Sequence, residues 1–173
     1  MATSPMTITT NNIIIGPCTS FTVDGNAVGA TDGGVTLTVK ETLTSIAIDQ
    51  ATADVVDAVK SVEATVKTTL SEATLQNLAI AMDMPAPVVG TSPANLTLSL
   101  AMNTGKKKEH ALVFVGPAAG TYANRTYTCP KAVSIVSVDE TVMKDKQKGY
   151  VVEWKLHPDL TNLTAPFGTV VDQ

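Results

Sequence analysis

The chain has 173 residues, a formal net charge of −4 and a sequence pI near 5.0, a length that suits one domain whose core needs no disulfide or metal staple. The acidic balance argues against general nucleic-acid affinity, which needs a basic field to displace counterions, and no run approaches the roughly 20 apolar residues of a membrane span. Charged residues make up only 16% and mean hydropathy is +0.17, against about 25% charged in an ordinary soluble domain, so some uncharged surface is expected to be hidden in an assembly.

Thr and Val dominate the composition, and their branched Cβ atoms favour a pleated strand over a helix. Met1 to Thr10 has no basic n-region or apolar h-region, so no secretory signal is expected. Residues 1–11 are read as a polar arm that orders against a neighbour. Asn12 to Ile15 and Ser20 to Val23 are short strand candidates, closed by Gly16-Pro17 and by the Asp24-Gly25 turn signal. A Gly33-Gly34 turn then feeds a strand with Val35, Leu37 and Val39 on one face and Thr36, Thr38 and Lys40 on the other. Its apolar parity switches between Leu43 and Ile46, which predicts a bulge or bend there.

Asp49 to Lys60 has no clean period and reads as an ordered loop or a short helix. Val62, Ala64, Val66 and Leu70 alternate with Glu63, Thr65, Lys67 and Thr69, a second half-buried strand. Ser71 is the expected N-cap of a helix over about 71–83, whose core stripe is Leu75, Leu78, Ala79 and Met82. Pro85 and Pro87 end it. After a proline-containing connection to Pro93, Leu96, Leu98, Leu100 and Met102 alternate with polar or small residues, predicting a strand. Asn103-Thr-Gly105 and three lysines make a hairpin turn into a strand over Ala111 to Val115. Arg125 to Thr128 and Ala132 to Val138 are strands flanking Pro130, which suits an edge or a bulge. Asp145 to Gly149 turns into Tyr150 to Leu156, where Glu153 and Lys155 alternate with Val152, Trp154 and Leu156. Residues 157–173 carry two prolines and a glycine and read as an irregular tail. No internal repeat or second domain is visible, so 1–173 is taken as one domain.

Reactive constellations are missing from the pattern. His110 and His157 stand in separate segments without a partner motif and read as ordinary strand or turn residues. Gly29, Gly33 and Gly34 lack phosphate-cradling spacing, and Ser71 lacks a nucleophile-elbow context. Asp49, Asp54 and Asp57 do not follow the calcium-loop pattern. Cys18 and Cys129 leave one disulfide open, with two buried free thiols the preferred reading. The three Asn-x-Thr sequons are chance products of a Thr-rich chain. Lys106-Lys107-Lys108 reads as a solvated hairpin tip, with an acidic neighbour as the sharper alternative. No catalytic residue, metal or cofactor is expected.

Taken in order, several segments resemble the tail tube proteins of tailed bacteriophages. They are Val28-Gly-Ala-Thr-Asp-Gly-Gly-Val-Thr-Leu-Thr38, the loop around Ile48-Asp-Gln50, and Val62 to Met82 running from strand into helix. Tyr127-Thr-Cys-Pro-Lys-Ala132 and Tyr150 to Leu156 are similar to the family's closing strands. The Pro-rich stretch from Met84 to Pro93 and the polar arm depart from the family pattern. The resemblance implies a mainly β fold, a β-sandwich or open barrel of antiparallel strands with one flanking helix, assembled as hexameric rings stacked into a hollow tube. It implies that 49–60, with Asp49, Gln50, Asp54 and Asp57, is the ring-stacking loop. Thr36, Thr38, Lys40, Glu63, Thr65, Lys67 and Thr69 would then face a lumen through which viral DNA passes without specific binding. The expected partners are further copies of the chain, tape-measure and terminator or baseplate proteins, and a sheath protein where the tail contracts, with no membrane. The expected location is the virion, after assembly in the host cytoplasm. The alternatives are the inner tube of a contractile injection or secretion system and a monomeric β-sandwich binding module.

Overall fold

In the computed structural model, residues 14–46, 56–90, 95–100, 105–135 and 149–173 are described. Among these residues, alternation of apolar and polar side chains builds ten strands, and there is one short helix. In chain order they are β1 (Ser20–Val23), β2 (Asn26–Ala27), β3 (Thr31–Ile46), β4 (Val56–Leu70), α1 (Leu75–Ala81), β5 (Val88–Val89), β6 (Leu96–Thr97), β7 (His110–Pro117), β8 (Asn124–Ser134), β9 (Tyr150–Leu156) and β10 (Thr169–Asp172). Eight strands form one antiparallel sheet in the order β2-β1-β7-β8-β9-β4-β3, with β10 joined to β8. The protein is mainly β, as expected, but among the described residues the sheet does not close, and β3 is its long margin. β5 and β6 pair separately.

The inward faces of these strands make the core. Phe21, Val23, Ala64, Val66, Leu70, Leu112, Phe114, Tyr150, Val152, Trp154 and Leu156 are all buried. The Trp154 ring meets Phe21 edge-on at 5.5 Å, and Phe21 meets Phe114 at 6.1 Å. Such T-shaped contacts align the positive ring edge with a neighbour's negative face. Helix α1 lies over part of this layer, with Leu78, Ala79, Ile80 and Ala81 buried. Leu75 and Met82, expected in the same stripe, are only partly buried against it.

Several local expectations need correction. The N-cap is Thr74, whose hydroxyl accepts from Asn77 N–H at 3.1 Å. Ser71 instead donates its backbone N–H to the Ala30 carbonyl, so it continues the sheet. The helix ends before the prolines. Asp83 takes a left-handed φ of 54°, and Asp83 and Met84 N–H return to the Ile80 and Ala79 carbonyls. That is a Schellman ending, which satisfies carbonyls left without helical partners. Gly33 and Gly34, at φ 70° and 78°, lie inside β3. They open an irregularity where Thr68 donates to the Gly34 carbonyl at 2.8 Å, giving the buried hydroxyl a partner.

The parity switch also has a different origin. Thr42 pairs with Ser61 and Leu43 with Val59, so the extra residue is Lys60 on β4. β3 keeps its alternation, and Ile46 falls on the face opposite Leu43. Pro130 does sit at a bulge, where β8 passes from Cys129 to Ala132 against Leu112 and His110. It interrupts one continuous strand rather than separating two. Leu98 and Leu100 do not extend β6, and Met102 lies outside the described residues. The tail is not wholly irregular: β10 pairs with β8, and Arg125 clamps Asp172 through two bonds of 2.5 and 2.7 Å. Cys18 is half-buried and Cys129 buried, both as free thiols, and desolvation pushes Cys129 up to about 11.

Candidate functional site

The outer face of β3, β4 and β9 is a polar wall. Thr36 stands opposite Lys67, Thr38 opposite Thr65, and Lys40 opposite Glu63. Thr36, Thr38, Lys40, Glu63 and Lys67 are exposed, while Thr65 and Thr69 are half-buried. β9 lengthens this face, because Thr65 also pairs with Lys155 and Lys67 with Glu153. Lys155 Nζ reaches Glu63 at 3.2 Å and Lys67 Nζ reaches Glu153 at 3.9 Å. Exposed pairs of this kind add little stability, but they place a carboxylate beside each of these two ammonium groups. All seven wall residues expected from the sequence thus share one face. Glu153 and Lys155 were missed, since the pairing of β4 with β9 joins segments more than eighty residues apart and has no local signature.

Beyond Glu41 and Val62 the β3 and β4 pair runs on as a two-stranded ribbon. Leu43, Ile46, Val56 and Val59 are there 54, 49, 54 and 56% exposed. By alternation, the Leu43 and Val59 pair lies on one face and the Ile46 and Val56 pair on the other. The expected loop over 49–60 is therefore strand from Val56 onward, where β-branched residues find partners on β3. Asp57 sits on this ribbon and accepts a 2.6 Å bond from the Ser45 hydroxyl. Asp49, Gln50 and Asp54, like the 1–11 arm, lie outside the described residues.

The third arrangement is a chain of polar side chains that runs from the surface to a buried histidine. His110 opens β7 and is 6% exposed. Its Nδ1 lies 2.9 Å from Asp24 in the β1–β2 turn, and its Nε2 lies 3.1 Å from Asp83 after α1. Asp24 also accepts from Lys108 Nζ at 2.8 Å and from Ala111 N–H at 2.9 Å. Burial works against its charge, yet Lys108, the Ala111 amide and His110 together hold it down at about 2. The lysine cluster is accordingly not a free hairpin tip. Lys107 donates to the Ser134 carbonyl at 2.6 Å, and Lys106 makes a surface pair with Glu109 at 3.5 Å. His110 was read as an ordinary strand residue. Its two aspartates are distant in sequence, so no spacing marks the cluster.

The two ring nitrogens of His110 face opposite carboxylates, so the three groups do not converge on one point. A groove of about 420 Å³ beside the β3 margin is lined by Val35, Leu37, Phe114 and Tyr127 among others, and Cys18 and Tyr127 are the titratable side chains among its described lining residues. Among the described residues no helix is long and apolar enough to cross a membrane. No family model matches the chain, and no curated protein matches it.

Proposed function

We propose that this chain is a structural subunit of a bacteriophage tail tube, whose copies form hexameric rings stacked into a conduit for viral DNA. The observation that carries this reading is the β3–β4 ribbon, which leaves its own core with apolar side chains uncovered. A two-stranded ribbon is marginal by itself in water, and an unpaired margin invites pairing with another chain. Copies of the chain would meet both needs: a neighbour in the ring pairs the β3 edge, and the next ring covers the ribbon. Asp57, and with it the 49–60 segment, would then belong to the stacking contact.

The Thr-rich wall fits the lumen. Duplex DNA gains affinity with every ammonium group that displaces counterions. A wall of hydroxyls, with Glu63 and Glu153 beside Lys155 and Lys67, keeps that attraction low and lets the polyanion slide. The partners in this reading are tape-measure and terminator or baseplate proteins, with a sheath in a contractile tail, and the location is the virion. Conduction needs no catalytic group or cofactor.

Negative-stain microscopy of the purified chain tests the reading. Six-fold rings or tubes are expected. Monodisperse monomers under assembly conditions would overturn it in favour of a binding module. The tube of a contractile injector would use the ribbon and the margin in the same way, and cargo separates the two: DNA in a phage tail, protein in an injector.

A further inference from the structure

An aspartate can close a five-membered ring by joining its carboxyl carbon to the next backbone nitrogen, and a following glycine puts no Cβ in the way. The chain has two such pairs, Asp24-Gly25 and Asp32-Gly33. Among the described residues nothing beyond the chain neighbours comes within 4 Å of where a Cβ would sit at either glycine, so crowding does not separate them. Their carboxylates do. At Asp32 the Gly33 N–H donates to Oδ1 of the preceding side chain at 2.9 Å, which holds the amide nitrogen against the carboxyl group it would attack. At Asp24 both oxygens are engaged by groups from elsewhere in the fold. Oδ1 accepts from Ala111 N–H at 2.9 Å, and Oδ2 accepts from Lys108 Nζ at 2.8 Å and faces His110 Nδ1 at 2.9 Å. We infer that Asp32-Gly33 is a site of spontaneous isomerisation, at which the aspartate closes to a cyclic imide and reopens as isoaspartate, and that the ties on Asp24 shut Asp24-Gly25 out of the same reaction.

In the first step the Gly33 nitrogen gives its proton to solvent and attacks Cγ of the protonated Asp32 carboxyl. The N–Cγ bond forms and the Cγ–OH bond breaks, and the departing hydroxide takes up a proton to leave as water. A second water then adds to the main-chain carbonyl of Asp32 and breaks its bond to the Gly33 nitrogen. The chain now runs through Cβ and Cγ, and the α-carboxylate is free. One water leaves and one enters, so mass and charge are unchanged.

The surroundings of Asp32 suit both steps. Asp32, Gly33 and Gly34 are exposed, so water reaches the imide. The product adds one backbone carbon where β3 already departs from register, since pairing with β4 breaks after Asp32 and Thr69 and resumes at Thr36 and Lys67. The irregularity absorbs the insertion, and the Leu37 and Val66 pair beyond it keeps its place. At Asp24 the protonated form is suppressed as well. Burial opposes its charge, yet Lys108, the Ala111 amide and His110 hold it at about 2 in place of 3.8, so it is protonated roughly 60-fold less often near neutral pH.

The test incubates the unassembled subunit near neutral pH, folded and in urea, and locates isoaspartate by electron-transfer fragmentation of tryptic peptides. Both pairs lie ahead of Lys40, the first lysine or arginine of the chain, so one peptide reports on both. In urea the two sites should isomerise alike. In the folded chain Asp32 should isomerise no more slowly than in urea, and Asp24 at least roughly 60-fold more slowly. Asp32→Glu keeps the charge but would need a six-membered imide, so it should abolish the signal at this position and leave Asp24 as in wild type. A folded chain that isomerises equally at both sites, or more at Asp24, would overturn the inference. So would an Asp32 rate below that of the unfolded chain, or a signal that survives Asp32→Glu. The reaction belongs to the single subunit, so its outcome and that of the tube experiment are independent.

Discussion

Replacing Leu43 and Val59 together with serine separates what the ribbon does for its own subunit from what it does for a neighbour. Full burial of such a side chain contributes about 1.5–3 kcal/mol. Both residues are a little over half exposed in the isolated chain (54 and 56%), so about half of that, roughly 1 kcal/mol each, is still to be gained by contact with another subunit. If stacking covers them, the pair contributes about 2 kcal/mol per subunit, which raises the concentration needed for assembly roughly 30-fold. The Phe21, Trp154 and Phe114 core is untouched, so the cooperative melt of the subunit should move by only a few degrees. Pelleting of assembled material across a concentration series, with circular dichroism melting as the control, measures both terms. An unchanged assembly threshold in a folded variant would refute the reasoning, as would a variant that assembles normally but melts much earlier.

Leu78→Asp should leave no cooperative unfolding transition in circular dichroism, because the site is 7% exposed and a buried unpaired carboxylate is costly; the same change at half-buried Leu75 should be milder. The Asp24 carboxylate is held at about 2 against an ordinary 3.8. Its contribution is therefore present in full above pH 3.8 and lost as pH falls toward about 2, so acid titration of Asp24→Asn should show a weaker loss of stability across that window than wild type. Changing Thr36, Thr38 and Thr65 to lysine should leave assembly intact, increase retention on duplex DNA at low salt and slow DNA ejection. Unchanged retention and ejection would remove this face from the lumen.

Period-two spacing made the strand faces readable. Ala64, Val66 and Leu70 on β4 and Val152, Trp154 and Leu156 on β9 point inward in the structure as their alternation predicted, because neighbouring side chains on a strand point to opposite sides whatever the partner. The helix stripe was readable for a similar reason, while its cap was not: Ser71 and Thr74 are both competent oxygen acceptors, and the choice fell to Thr74 once Ser71 had joined the sheet at Ala30.

Local spacing, then, was sufficient for which residues turn inward, for a mainly β chain with a single helix, and for a threonine-bearing outer face. The three-dimensional arrangement decided which strands are neighbours, and with that the placement of Glu153 and Lys155 beside Glu63 and Lys67, the Lys60 bulge, and the docking of β10 on β8. It also brought Asp24, Asp83 and His110 together. Each of these depends on pairing between segments tens of residues apart, and a strand's alternation states only which side it buries, never which strand lies beside it.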